Sequence, residues 1–257
     1  MPILPGAEPF THEGSGEIGV LLCHGFTGSP QSMAPWGARL ADAGFTVICP
    51  LLPGHGTTWQ EMNRTAWPDW YREVEQTFGE LVERCRSAFV FGLSMGGTLA
   101  LRLAERHGSE VAGLVLVNPS VMTERRDATF LPLLSKIVPA MPGISNDIKK
   151  PGMTELAYRR LPLRAAASLS KLWQVVRGDL PRIDQPLLLL RSAEDHVVEP
   201  VNAKTILTCV RSSDVREVVL PDSYHVATLD NDADTIFDAS VEFANRVHRE
   251  RTGQPVE

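Results

Sequence analysis

AFVFGLSMGG, residues 88–97, joins an apolar strand to a helix through Gly92-Leu93-Ser94-Met95-Gly96. This is the G-x-S-x-G pattern of a nucleophile elbow, a strand-to-helix turn so sharp that the serine side chain is pushed out of the sheet. Glycines at 92 and 96 remove the Cβ atoms that would clash in so tight a bend. The helix that follows points its N-terminus, with a partial positive charge, at the place where an oxyanion would form. The pattern alone is weak. The legible strand before it and helix after it make Ser94 the candidate nucleophile.

Moving outward, IGVLLC at residues 18–23 is a short continuous apolar run, as expected of a strand buried on both faces. A loop at 24–28 follows, then a helix opened by Ser29-Pro30 and stopped at Gly44. Phe45 to Cys49 is predicted to be the next strand and Trp67 to Arg86 a long helix. The elbow strand, a helix to His107 and a strand from Val111 to Val117 extend the alternation, which implies a parallel sheet with helices on both faces.

Residues Asn118 to Asp184 break that rhythm. They carry many prolines, short amphipathic pieces and no predicted strand. LPLLSKIVPAMPGI (131–144) and LPLRAAASLSKLW (161–173) read as short helices with apolar faces. Alternation then resumes with a strand at Pro186 to Arg191, a helix at Pro200 to Arg211, a strand at Arg216 to Leu220 and a final helix at Asp232 to His248. The expected organisation is a core of residues 1–118 and 185–257 interrupted by a cap insertion at 119–184. The tail from Thr252 is expected to fray.

Composition narrows the function classes. The chain has 257 residues, 43% apolar and 22% charged, the profile of an ordinary globular protein with ample core material. Its net charge is −6, and no basic cluster is longer than Arg125-Arg126, Lys149-Lys150 or Arg159-Arg160. That argues against nucleic acid as a partner and disfavours a densely anionic substrate. No apolar run reaches the roughly 18 residues of a membrane span. The N-terminal MPILPGAEPF lacks the features of a signal peptide. The cysteines at 23, 49, 85 and 209 form no C-x-x-C pair, so neither metal nor disulfide use is expected, and the reading is a cytoplasmic protein. A homodimer is left open.

A serine at neutral pH needs a base within hydrogen-bond reach, and the base needs a third group to fix its tautomer. Where the serine sits on such an elbow, acid and histidine follow in that chain order, each on a loop after a strand. LLLLRSAEDHVV puts Asp195 just past one strand, and VVLPDSYHVATLD puts His225 just past the next. Both then lie at the carboxyl edge of a parallel sheet, where open α/β sheets bind ligands. Glu194 and Glu199 compete with Asp195. His196 is the main rival to His225, but it sits in the acid loop and reads as positional. Two backbone N–H donors are needed for an oxyanion hole. Met95, after the nucleophile, should supply one and Phe26, in the loop His24-Gly25-Phe26, the other. His24 and His55 read as loop-fixing residues.

These motifs resemble bacterial monoacylglycerol lipases and their close carboxylesterase relatives in the α/β-hydrolase superfamily. The matching stretches are HGFTGSPQSM, LLPGHGTT, WPDWYREVE, GLSMGG, SNDIKKPGMTELAYRRLPL, AEDHVV and SYHV-x-T-L-D, spread over residues 18 to 250. SNDIKKPG in the cap is the most discriminating. Residues Val121 to Ser135 match no stretch of that pattern. The resemblance implies an α/β-hydrolase fold, a mostly parallel central sheet flanked by helices, with a small helical cap insertion. It implies Ser94 as nucleophile, Asp195 as acid, His225 as base, and Phe26 and Met95 as the oxyanion hole. No cofactor or metal is implied. The expected activity is hydrolysis of monoacylglycerols or short-to-medium acyl esters. Leu131, Leu133, Leu134, Ile137, Val138, Met141 and Ile144 would meet an acyl chain or pack the cap on the core. Asp147, Lys149 and Glu155 would present polar groups to a glycerol headgroup. Thioester hydrolysis, acyl transfer with the same triad, and a ligand receptor without turnover are the competing readings. Epoxide hydrolases and dehalogenases want an aspartate where Ser94 stands.

Overall fold

A computed structural model describes residues 2–125 and 129–253. Its centre is a seven-stranded sheet in the order β1-β3-β2-β4-β5-β8-β9. The strands are β1 (Phe10–His12), β2 (Ile18–Cys23), β3 (Thr46–Cys49), β4 (Ser87–Leu93), β5 (Val111–Val117), β8 (Leu187–Ser192) and β9 (Val215–Leu220). All neighbours pair in parallel except the edge strand β1, which runs antiparallel to β3. The polar, short β1 gave no alternating signal in the sequence. The α/β-hydrolase architecture expected from the sequence is the one observed.

Every residue of β2, β3, β4 and β5 is buried, yet period-two alternation still sorts the side chains onto two faces. Val20, Leu22, Phe89, Phe91, Val115, Val117, Leu188 and Leu190 face one core; Leu21, Cys23, Val90, Leu114, Leu116, Leu187 and Leu189 face the other. The first core is closed by α1 (Ala34–Asp42) and α8 (Ala233–Thr252), with Trp36 stacked on Phe91 at 5.5 Å between ring centroids. The second is closed by α3 (Trp67–Arg84), α4 (Met95–His107), α6 (Leu163–Asp179) and α7 (Val201–Cys209). Among the described residues no helix is long and apolar enough to cross a membrane.

The segment expected to be one cap from 119 to 184 divides in two. Its second half is a long helix, α6, whose Leu169, Leu172 and Val176 join the core beneath α4, so it belongs to the helical layer. The first half holds the short α5 (Leu131–Leu134) and, contrary to the expectation of no strand, an antiparallel pair of β6 (Ala140–Pro142) and β7 (Arg160–Pro162). Three residues per strand, with three prolines nearby, are too few for a periodic signal. Within 121–135, residues 126–128 lie outside the described structure. The expected frayed tail falls mostly on residues 254–257, likewise outside it; α8 itself continues through Thr252. A short helix, α2 (Trp59–Met62), also escaped the sequence reading.

The two elbow glycines are explained by contact. A Cβ on Gly96 would fall far inside van der Waals contact distance of the Cys23 carbonyl oxygen, and one on Gly92 would strike the Gly96 backbone. Backbone atoms cannot swing aside as a side-chain tip can. Gly96→Ala should therefore lower the free energy of unfolding by about 3 kcal/mol or more, read by urea denaturation. A loss below about 1 kcal/mol, the size of an average substitution, contradicts this account of the turn.

Candidate active site

Ser94 sits between the last residue of β4 and the first of α4 with φ +56° and ψ −117°. A non-glycine residue there stores roughly 1–3 kcal/mol of strain, held by its surroundings. Its N–H donates to the Val117 carbonyl at 3.0 Å, so the turn is fastened to the neighbouring strand β5. Ser94 is buried, and the loop at 24–28 passes close by: a Cβ on Gly25 would lie 3.6 Å from that of Ser94. Met95 opens α4, so its N–H has no acceptor one turn earlier in the helix.

The loops after β8 and β9 bring Asp195 and His225 together. Nδ1 of His225 lies 2.8 Å from Oδ2 of Asp195, and the two side chains are only 9% and 7% exposed. With Nδ1–H donating to the carboxylate, the neutral ring carries its free lone pair on Nε2. The other oxygen of Asp195 accepts the N–H groups of Val197 and Val198, each at 2.8 Å. Burial disfavours the Asp195 charge, but His225 and those two N–H groups outweigh it and hold the carboxyl below its usual range. Burial likewise works against a charged His225. The Asp195 charge and hydrogen bond, with Glu155 and Asp147 further off, outweigh it and raise the imidazole above 6.5. The sequence rivals are engaged elsewhere. Glu194 reaches His196, and Glu199 accepts from Thr123 Oγ1 at 2.8 Å and the Glu124 N–H at 3.1 Å.

The loop carrying Phe26 is set by His24. The Leu52 N–H donates to Nε2 of His24 at 3.2 Å, and Nδ1 donates to the Gly25 carbonyl at 3.0 Å. Burial pushes this histidine down to about 4, so it is a neutral spacer at physiological pH. Phe26 packs edge-on against Trp70, with ring centroids 5.9 Å apart. Residues 154–158 are tied to this loop and to the turn that follows it. Tyr158 N–H donates to the Thr27 carbonyl at 3.2 Å, and Gln31 bonds the backbone of both Thr154 and Leu156 at 3.1 and 2.9 Å.

The residues at 131–155 expected to meet substrate fare differently. Glu155 projects toward the loop at 24–28, its Oε1 2.8 Å from where a Cβ on Gly28 would stand. Burial pushes its carboxyl up to about 7, against the pull of His225. Ile144 is 53% exposed, and Leu133, Ile137 and Met141 are also exposed, whereas Leu131, Leu134 and Val138 are partly buried. Lys149 pairs with Asp222 at 2.9 Å. Asp147 has both carboxylate oxygens taken by the protein. Oδ2 accepts the N–H groups of His225 and His196 at 3.1 and 3.3 Å, and Oδ1 meets His196 Nδ1 at 2.8 Å. It is built into the loops rather than offered to a headgroup.

Sequence reasoning missed Asn118. It follows β5 with φ +44°, and its side-chain amide donates to the His225 carbonyl at 2.8 Å and to Ser192 Oγ at 3.0 Å. Its own N–H donates to the Leu190 carbonyl at 2.9 Å. It therefore ties the strand beside the elbow to β8 and to the loop that carries His225. A polar residue closing an all-apolar strand at the carboxyl edge was the available signal. Among the described residues no group of three or more His, Cys, Asp or Glu could hold a metal ion.

A parallel sheet with a serine elbow, and an Asp–His pair on later loops of the same edge, define an α/β-hydrolase. The chain belongs to the family described as serine aminopeptidase, S33 (Hydrolase_4), which matches residues 17–232. It is 43% identical over 247 residues to a thermostable monoacylglycerol lipase of Bacillus sp. (strain H-257), covering 94% of this chain and 96% of that one. It is 27% identical to a carboxylesterase of Bacillus subtilis (strain 168), covering 93% and 97%. A solved structure from work on the metagenome-derived lipolytic enzymes LipS and LipT superposes with a TM-score of 0.92 at 41% identity, covering 95% of this chain and all of that one.

The electrostatics predict a titration. By 1H–15N NMR the His225 ring should titrate above 6.5, and Asp195→Asn should bring it down, because the carboxylate is what favours the imidazolium. A ring titrating below 6.5 in the unaltered protein contradicts the pairing.

Proposed function

We propose that this chain is a serine hydrolase that cleaves carboxylic esters, monoacylglycerols and short-to-medium-chain acyl esters foremost, through an acyl-enzyme on Ser94. The observation that carries the reading is the buried 2.8 Å pairing of His225 Nδ1 with Asp195, which leaves Nε2 as the basic nitrogen on the same sheet edge as a strained, elbow-borne serine. His225 takes the Ser94 proton as Oγ attacks the ester carbonyl. The N–H groups of Phe26 and Met95 hold the oxyanion, each worth about 3 kcal/mol of barrier. His225 then protonates the leaving alcohol and afterwards activates the water that releases the acid. Asp195 stays ionised and fixes the ring tautomer.

Glu155 is the candidate headgroup ligand. A carboxyl near 7 in a site that also feels His225 can donate to or accept from a glycerol hydroxyl. Ile144 and the other exposed apolar cap residues would flank the acyl chain. The 43% identical monoacylglycerol lipase supports this choice of alcohol.

Ser94→Ala should lower turnover by about 10⁶-fold, as removal of a triad serine does elsewhere. Retention of more than a tenth of native activity refutes Ser94 as nucleophile. Acyl-CoA thioesters run beside esters of two to sixteen carbons would expose a thioesterase. Turnover below about 0.01 per second on all of them, far under ordinary enzyme values, would favour a receptor. Glu155→Gln should raise KM for a monoacylglycerol about tenfold, the worth of one good hydrogen bond near 1.4 kcal/mol, and barely change p-nitrophenyl butyrate hydrolysis. Equal effects on both substrates would remove Glu155 from headgroup binding.

A further inference from the structure

The cap and the loop carrying His225 hold each other by exchanged carboxylates. From the core, Asp230 accepts the cap N–H groups of Lys149 and Lys150 at 2.7 and 2.8 Å, and that of Tyr224 at 2.9 Å. From the cap, Asp147 accepts the His225 N–H at 3.1 Å through its side chain and the Val226 N–H at 3.0 Å through its carbonyl. Three consecutive N–H groups, at 224, 225 and 226, are therefore fixed by this clasp. The third arm of Asp147 reaches His196, next to Asp195 in the chain, through both ring and backbone. His196 in turn packs edge-on to Tyr224, with ring centroids 4.6 Å apart. One cap carboxylate thus touches the loop of the acid and the backbone of the base.

We propose that Asp147 is a positioning residue for catalysis: by accepting the His225 and His196 N–H groups it sets the height and tilt of the imidazole over Ser94, making this stretch of the cap part of the catalytic frame. This rests on the reading of His225 as the general base. Attack geometry is steep in distance, and a misplacement of about 1 Å can cost 100-fold in rate. Asp195 fixes the ring about one bond only; the backbone beneath the ring needs its own anchor. Without Asp147, the His225 N–H loses its acceptor, and the loop can relax away from the serine. The segment also orients Glu155, whose N–H donates to Asn146 Oδ1 at 2.7 Å. Asn146 has the left-handed φ of +61° that such a tight return requires.

Charge adds a second signature. The charged groups facing His225 are Asp195, Glu155 and Asp147, and His196 with Glu194 flanks Asp147 on its outer side. The Asp147 charge favours the imidazolium. Removing it lowers the His225 titration, so the neutral, active ring persists to lower pH and the acid limb of the rate profile moves down.

The test uses the full chain with p-nitrophenyl butyrate, a substrate without a glycerol headgroup. Asp147→Ala should reduce kcat about 10- to 100-fold, leave KM within about threefold, and move the acid limb of kcat/KM to lower pH. Asp147→Asn retains one acceptor oxygen in the same shape. It should recover kcat to within about fivefold of the native value while keeping the shifted limb. A purely structural role would lower the melting temperature and leave both kinetic signatures unmoved. Two results overturn the proposal: an Asp147→Ala enzyme with kcat within twofold and an unshifted limb, or a loss confined to KM. If Asp147→Ala does not fold, Asp147→Asn decides, and a native kcat with a native limb overturns the proposal. Ser94→Ala and His225→Ala in the same assay keep the two claims apart. If they remain active, the reading of the site has failed; if they are dead while Asp147 variants are native, this inference alone has failed.

Discussion

Ser94 has to turn the chain from strand to helix within one residue, and the positions of its partners follow from how that turn is held. The backbone there has φ +56°, a conformation maintained only by its surroundings. Gly96 lies against the Cys23 carbonyl, which fixes α4 to β2 and hence to the loop that begins at His24. The Ser94 N–H bonds to Val117, the next residue is Asn118, and the Asn118 amide bonds to the His225 carbonyl. His225 closes the series on Asp195. Each step is a direct contact at the carboxyl edge of the sheet. A displaced elbow would carry the loop at Phe26 and the loop at His225 out of register with it.

The electrostatics sort two nearby carboxyls into opposite states. Asp195 is surrounded by donors and held below its ordinary range, a permanent acceptor for Nδ1–H. Glu155 lacks such donors and is pushed toward neutrality, near 7. Environments that drive carboxyls apart in this way assign them different work. One is suited to stabilise an imidazolium, the other to exchange hydrogen bonds with a hydroxyl. Both come to His225 on separate segments, so the imidazole is where core and cap chemistry meet.

Most of the core was legible because its strands are continuous apolar runs and its helices carry clear breaks at glycine and proline. The Ser94, Asp195, His225 order could be read from loops that follow such runs. What stayed hidden lacks local signal. The antiparallel β1 is polar and three residues long, and the β6–β7 pair is equally short. α6 reads as amphipathic in isolation, and nothing local says that its apolar face closes the core and not a cap. Asn118 and Asp230 act through bonds to residues 80 or more positions away, such as Lys149, Lys150 and His225. Asp147 illustrates the same limit: its charge suggested a headgroup ligand, while its partners 49 and 78 positions along the chain make it a clasp.

Catalysis on this site requires Ser94, His225 and the loop at Phe26 to converge on a single tetrahedral centre. A crystal structure of the protein inactivated by an alkyl phosphonate tests it directly. The expected adduct has phosphorus bonded to Ser94 Oγ, Nε2 of His225 within hydrogen-bond reach of an adduct oxygen, and the phosphoryl oxygen about 2.7–3.1 Å from the Phe26 and Met95 nitrogens. Phosphorus bonded to another residue, or an adduct on Ser94 with the His225 ring turned away, would contradict it.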